Sequence, residues 1–135
     1  MGSVELTNPT IELKARTKRF AVRLIALFRA LPRAEEARIL GRQLLRAGTS
    51  VAANYRAACR ARSRAEFVAK IGVVVEEADE AVFWMELLTE AKIIEATRLS
   101  PLLKEGNELL AIFAASQRTA RSGRQGQSLN DPLTQ

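Results

Sequence analysis

The sequence predicts an all-α fold, an antiparallel up-down-up-down four-helix bundle. Three observations support this prediction. Residues that favour helix, namely alanine, leucine, arginine and glutamate, dominate a chain that is 47% hydrophobic and only 5% aromatic. Apolar residues recur at three- and four-residue steps in four successive stretches, and no stretch shows the strict alternation of a strand. The connections between these stretches are short, so neighbouring helices should be antiparallel.

The first two helices are predicted from apolar stripes bounded by helix start and stop signals. Thr10 can cap a first helix that runs to about residue 31, because Pro32 is a stop signal. Its apolar stripe consists of Leu13, Phe20, Leu24, Leu27 and Leu31. A second helix should cover residues 33–61, and Gly48 should not break it, because the apolar pattern keeps its phase across the glycine.

The second half of the chain predicts two further helices. Ser63 occupies the N-cap position of a long third helix, residues 64–94. A fourth helix is expected over residues 100–121, with Pro101 in its first turn, where proline is tolerated.

The chain has the length of one ordinary domain, at 135 residues. We expect the bundle to span residues 10–122, with residues 1–9 as a flexible lead and residues 123–135 as a disordered tail. No apolar run approaches the roughly 20 residues needed to cross a bilayer, so no membrane contact is expected. Cys59 is the only cysteine and excludes an internal disulfide, which favours a cytoplasmic address.

The charge changes sign near the middle of the chain. Residues 10–62 carry 13 basic and 3 acidic side chains, a net charge of +10. Residues 63–95 carry 3 basic and 8 acidic side chains, a net charge of −5. A basic half and an acidic half on one small chain indicate either nucleic-acid contact or subunits that pair by charge.

The residues for catalysis and metal binding are missing or badly placed. Histidine is absent, which removes the commonest general base and the commonest metal ligand. The third helix carries six acids that could suggest a metal cluster, but most lie off its core stripe: Glu76, Glu77, Asp79, Glu80, Glu86 and Glu90. Cys59 lacks a partner base and is better explained as a small buried side chain. We therefore expect no catalytic residue, no metal and no cofactor.

Arginines on the first two helices are the main functional candidates, because arginine forks suit phosphate oxygens. They are Arg38, Arg42, Arg56 and Arg60 on one face of the second helix, with Arg16, Arg19 and Arg23 as support on the first. The first hypothesis is a non-enzymatic, homo-oligomeric bundle that binds RNA or DNA with little sequence preference. The alternative is a structural scaffold or protein–protein interaction module, in which these arginines pair with the acids of the third helix.

The third helix also has a second apolar strip, about 120° from its core face. Val73, Trp84 and Leu87 belong to this strip, interleaved with Glu77 and Glu80. A helix that is apolar on two faces usually has two packing partners, so we expect this strip to form an oligomer interface. A recognition platform around Trp84 is the less favoured alternative.

The segment around Ser63 resembles a known family. The residues that carry the resemblance are Ser50-Val51-Ala52-Ala53-Asn54-Tyr55-Arg56, Ala58, Ala61, Ser63, Glu66-Phe67, Lys70, Glu77-Ala78-Asp79-Glu80, Trp84 and Leu87-Leu88. They are similar to the core signature of the four-helix-bundle proteins encoded in intervening sequences of bacterial 23S ribosomal RNA genes. Ala57 and Arg62 depart from the pattern, which often has acidic residues there, and make the second helix more basic.

The resemblance implies a bacterial four-helix bundle that assembles into a homopentamer. It also implies a similar fold to the accessory proteins of diversity-generating retroelements, which are basic pentamers that bind nucleic acid and a reverse transcriptase. The expected partners are therefore further copies of the chain, RNA or DNA, and a nucleic-acid-processing protein such as a reverse transcriptase. The family has no secure molecular function, so the resemblance defines the fold better than the role.

Overall fold

The computed structural model describes residues 8–123, which fold into four α-helices. They are α1 (Pro9–Arg29), α2 (Glu35–Ala58), α3 (Arg64–Glu90) and α4 (Ala96–Ser122). No strand occurs in residues 8–123, which confirms the all-α prediction. Each helix packs against the next one along the chain, and α1 also contacts α4. The predicted lead and tail fall almost wholly outside the described residues and stay predictions.

Contacts between helices fit the antiparallel order. Leu31, just after α1, lies against Gly41 early in α2, whereas Leu24 lies against Gly48 further along α2. In the second pair, Gln117 late in α4 lies beside Gly72 in the first half of α3. The chain therefore reverses direction at each of these connections, as short loops require.

The cap of α1 lies two residues before the predicted one. The cap is Asn8, not Thr10, because the Asn8 side chain accepts a hydrogen bond from the Ile11 backbone N–H at 2.9 Å. Pro9 then stands at the first helical position, where its missing N–H leaves no bond unmade.

The predicted cap of α3 is confirmed. Ser63 Oγ accepts a hydrogen bond from the Glu66 backbone N–H at 3.0 Å. The Glu66 carboxylate in turn accepts one from the Arg62 backbone N–H at 2.9 Å. That bond lowers the pKa of the Glu66 carboxyl. These two reciprocal hydrogen bonds between side chains and backbone cap the start of α3, between the basic and acidic halves of the chain.

Both ends of the second helix, the end of the third and the start of the fourth differ from the prediction. The second helix is shorter than residues 33–61, while Gly48 lies inside it without a break, as expected. The third helix ends at Glu90, since Lys92 adopts a φ of 62° and the chain turns there. The fourth helix starts earlier than expected, so Pro101 lies within it, exposed to solvent, rather than in its first turn.

The core lies between all four helices. Its largest fully buried side chains are Phe20, Leu24, Val51, Ile71, Val74, Met85, Leu88, Leu99, Leu109 and Phe113. The Tyr55 and Phe113 rings meet at 5.0 Å between centroids, which joins α2 to α4 across the bundle. Within residues 8–123 no helix combines the length and apolar character that a membrane span needs.

Candidate nucleic-acid interface

A groove runs between the outer faces of α1 and α2. It has a volume of about 810 Å³. Five of the residues that line it are basic: Lys14, Lys18 and Arg19 from α1, and Arg56 and Arg60 from α2. No acidic residue lines it. We call these five side chains and the space between them the basic groove.

Apart from the exposed Ile11, the uncharged residues that line the basic groove have small side chains and form its floor. Ala15 on α1 faces Ala52 and Ala53 on α2, and Thr49 lies beside them. The Thr49 hydroxyl donates to the Leu45 carbonyl oxygen at 2.8 Å, so its proton is already used within α2. Small residues leave the floor low, and the long basic side chains form its walls.

The close approach of α1 to α2 depends on Gly48. A Cβ at this position would run into the Leu24 side chain and would lie 3.8 Å from Phe20 Cε2. Leu24 and Phe20 are both almost completely buried. The missing side chain of Gly48 therefore lets α1 sit directly on α2, one turn from the groove floor.

None of the five cations forms an ion pair with an acid within residues 8–123. The ion pairs of residues 8–123 involve Arg16, Arg46 and Arg62, and none involves a side chain of the basic groove. The lining therefore carries five positive charges close together on a low floor. Such an arrangement attracts a polyanion, and guanidinium and ammonium groups are good donors to phosphate oxygens.

Arg16 lies outside the basic groove, on the α4 side of α1. Its Nε donates to Glu105 Oε2 at 2.6 Å, and its Nη2 donates to Glu108 Oε1 at 2.7 Å. The Arg16 hydrogen bonds lower the pKa of the Glu105 carboxyl, with smaller contributions from the charges of Arg23 and Arg19. Arg16 therefore joins two helices.

The Arg38 side chain interacts with Phe28 of α1. Its guanidinium lies 4.3 Å from the centre of the Phe28 ring and donates to the Phe28 carbonyl oxygen at 3.4 Å. Arg23 and Arg42 are exposed and do not line the basic groove. Of the seven arginines that the sequence predicted for nucleic-acid binding, the structure thus brings together Arg19, Arg56 and Arg60.

Two groove residues were missed by the sequence prediction. Lys14 and Lys18 are four residues apart, so both point to the same side of α1. That spacing was a usable signal, but the sequence does not say which side of α1 faces α2. Only the packing of α1 on α2 places these lysines opposite Arg56 and Arg60.

The acids predicted at an oligomer interface meet an arginine of the same chain. Arg46 on α2 contacts Glu77, with Nη1 and Oε1 3.2 Å apart, and also contacts Glu80. The predicted pairing between the basic half and the third helix thus occurs inside the subunit. It uses Arg46, which the sequence analysis did not single out.

The apolar strip of α3 divides between the core and the surface. Val73 is exposed, Leu87 is half-buried, and Trp84 is half-buried and packs against the core. Trp84 Nε1 is buried and has no hydrogen-bond partner in residues 8–123. Phe83 meets Trp84 edge-on at 4.9 Å and is 50% exposed. Phe83 and Val73 are thus the large apolar side chains that α3 presents to solvent.

The chain's single cysteine lies in a different pocket. Cys59 is half-buried at the end of α2, in a space of about 370 Å³ that Tyr55, Thr10 and Ser63 also line. Burial raises the pKa of the Tyr55 hydroxyl to about 12, so the hydroxyl stays protonated near neutral pH. In residues 8–123 no three side chains of the metal-ligating types come together.

Fold and site together define an all-α four-helix protein with a cationic groove between its first two helices. The chain belongs to the family of 23S rRNA-intervening sequence proteins, whose sequence model matches residues 10–115. The resemblance inferred from the segment around Ser63 is thereby confirmed.

A solved structure is also similar. It is the 1.70 Å crystal structure of a protein with unknown function from the S23 ribosomal protein family of Bacteroides thetaiotaomicron VPI-5482. The two sequences are 29% identical, and the match covers 81% of this chain and 97% of the other, with a TM-score of 0.75. No curated protein matches the chain.

Proposed function

We propose that the protein is a non-enzymatic nucleic-acid-binding module of the bacterial cytoplasm, and that the basic groove holds a phosphate backbone. The observation that carries this proposal is the set of five basic side chains in one groove with no acid among them. The family name, which refers to an intervening sequence of 23S ribosomal RNA, supports RNA as the natural ligand.

The proposal makes a quantitative prediction about salt. If all five cations contact phosphates, log K for a duplex should fall with log salt with a slope of about −4.5. The affinity should then drop about 500-fold between about 50 mM and 200 mM salt, because each contact releases a counterion. Fluorescence anisotropy with a labelled RNA measures both quantities.

A charge-reversal pair tests whether the basic groove is the site. The double substitution Lys18→Glu and Arg56→Glu should lower the magnitude of the salt slope by about 2 and weaken binding at every salt concentration. The matched control is Arg98→Glu with Arg118→Glu, which makes the same change in net charge at exposed positions of α4. Equal weakening by both variants, or no binding by the unmodified protein, would contradict the proposal.

A second role is self-assembly through α3. Phe83 is half exposed beside Val73, and the same helix carries the acids Glu76, Asp79 and Glu90 on its exposed surface. An acidic surface with an exposed aromatic ring suits a basic face on another copy, and a head-to-tail contact gives a ring where its rotation closes. We propose a homo-oligomer, with a pentamer as the state that the family resemblance suggests.

A further inference from the structure

The charged side chains of the basic groove are all donors for phosphate oxygens, and the other lining residues are apolar apart from Thr49. We infer that it takes the backbone of a double-stranded nucleic acid in preference to a single strand, and that it reads neither base nor sugar. This inference rests on the proposed function and specifies its ligand. Three observations support it: the lining has no aromatic side chain, it has no amide or serine side chain, and the groove is long enough to meet several phosphates.

Single-strand binders usually combine a basic groove with aromatic side chains on which the bases stack. The chain has five phenylalanines, one tyrosine and one tryptophan, and none of them lines the basic groove. Phe20, Tyr55 and Phe113 are buried in the core. Phe28 lies beneath Arg38, outside the groove, and the other three belong to α3. An unstacked base would therefore find no aromatic ring at this site, and only the arginine guanidinium groups could stack on it.

The lining also lacks the uncharged amide side chains that read adenine, and its arginines and lysines suit phosphate oxygens as well as guanine edges. No asparagine, glutamine or serine lines the basic groove, and these residues supply many specific contacts to bases. The only hydroxyl is that of Thr49, which already donates to the Leu45 carbonyl oxygen. The donors that remain are the five cations, which suit phosphate oxygens, so no uncharged donor is positioned for a 2′-hydroxyl, the group that distinguishes RNA from DNA.

Over the length of the groove, a duplex presents more phosphates than a single strand does. Its lining covers residues 11–19 of α1 and residues 49–60 of α2. At 1.5 Å per residue these stretches are about 12 to 16 Å long. A duplex carries a charge every 1.7 Å or so, and therefore about 7 to 10 phosphates over that length, whereas one strand carries about half as many. Five clustered cations gain more from the duplex, and no aromatic stacking compensates the single strand.

The test compares ligands of one length on the full chain. Anisotropy titrations use an RNA duplex of about 20 base pairs, a DNA duplex of the same sequence, and an unstructured single strand of the same length, all at one salt concentration. We expect the RNA duplex to bind at least about tenfold more tightly than the strand, because its charge density is higher. Duplexes of different base composition should agree within about threefold.

A gain-of-function variant adds the missing stacking platform. Ala53→Tyr places an aromatic ring on the exposed edge of the groove floor, and Ala111→Tyr makes the same change at an exposed position of α4 as the control. The groove variant should raise single-strand affinity about tenfold, since stacking one base is worth that much or more, while the control should not.

The outcomes separate this inference from the proposed function. A single strand that binds the unmodified protein as tightly as the duplex, or a strong dependence on base composition, would overturn the inference and leave the function standing. Failure of every nucleic acid to bind, or binding insensitive to the charge reversal at Lys18 and Arg56, would overturn the function itself.

Discussion

Arg16 on α1 holds Glu105 on α4 through two parallel hydrogen bonds. Arg16 Nε donates to Glu105 Oε2 at 2.6 Å, and Nη2 donates to Glu105 Oε1 at 2.8 Å. The two side chains are 27% and 18% exposed, so solvent screens this ion pair less than an ordinary surface pair. The contact between α1 and α4 is the smallest of the helix contacts in the bundle, and this ion pair connects the two helices.

Removing the charge of Glu105 should weaken the connection between α1 and α4 and lower the stability of the protein. Glu105→Gln is expected to lower the free energy of unfolding by about 1–2 kcal/mol near neutral pH, because the bidentate pair is partly buried. Urea denaturation followed by circular dichroism measures the change. Glu108→Gln is the control, since Glu108 is 50% exposed and should cost less. Equal losses in the two variants would show that the pair is no stronger than a surface contact.

The same pair predicts a dependence on pH. The Arg16 hydrogen bonds lower the folded-state pKa of Glu105 below its ordinary value of 4.5. For an acid whose pKa is lowered by folding, the stabilisation is complete above the unfolded-state pKa and is lost as the pH falls through the folded-state pKa. The stability difference between the unmodified protein and Glu105→Gln should therefore be constant at neutral pH and shrink below about pH 4.5. A difference that stays unchanged in acid would contradict the assignment.

Gly48 and Gly72 should respond in opposite ways to alanine. A Cβ at Gly48 would run into the buried Leu24 side chain, so we expect Gly48→Ala to destabilise the protein by about 1–2 kcal/mol despite its better helix propensity. A Cβ at Gly72 would meet only the end of the flexible Gln117 side chain, at 2.8 Å from Nε2. Gly72→Ala should therefore stabilise by about 0.5–1 kcal/mol. Thermal unfolding of both variants checks the contrast, which fails if Gly48→Ala is stabilising.

The cap at Ser63 should be worth about 1 kcal/mol. Ser63→Ala removes the acceptor for the Glu66 backbone N–H, whereas Ser63→Asp keeps one. We expect the alanine variant to lose stability and the aspartate variant to retain most of it, as measured by urea denaturation. Ser100→Ala, at an exposed position within α4, provides the control. Loss of stability in the aspartate variant as well would show that the hydrogen bond is not the cause.

Phe83 is a better test of self-assembly than Trp84. Because Trp84 packs against the core, a charged residue there should unfold the chain, whereas Phe83 is half exposed. We expect Phe83→Asp to keep the helical circular dichroism spectrum and to reduce the mass in light scattering to that of one chain, 14.9 kDa. An unmodified protein that already has this mass would exclude self-assembly through α3.

The local features of the fold were predictable because short-range physics determines them. The stripe through Phe20 and Leu24 and the cap at Ser63 follow from helical spacing and from the hydrogen bonds of a first turn. The errors in helix ends arise where neighbouring groups compete. Asn8 displaced Thr10 as the cap, and the turn at Lys92 shortened α3.

The candidate site was predicted only in part. Arg56 and Arg60 were identified because they share one face of a single helix. Arg16 was grouped with them, yet it meets Glu105, which lies 89 residues later in the sequence. Likewise, nothing in the sequence pairs Arg46 with Glu77, whose contact depends on how α2 and α3 are aligned.

The sequence by itself determined the four helices, the cap between the basic and acidic halves, and the separation of charge along the chain. The tertiary structure decided which basic side chains form ion pairs and which do not. It neutralised Arg16 and Arg46 with acids on neighbouring helices and gathered Lys14, Lys18, Arg19, Arg56 and Arg60 into one groove. The reason is physical: helix formation depends on residues within a few positions of one another, whereas ion pairing depends on which faces two packed helices turn toward each other.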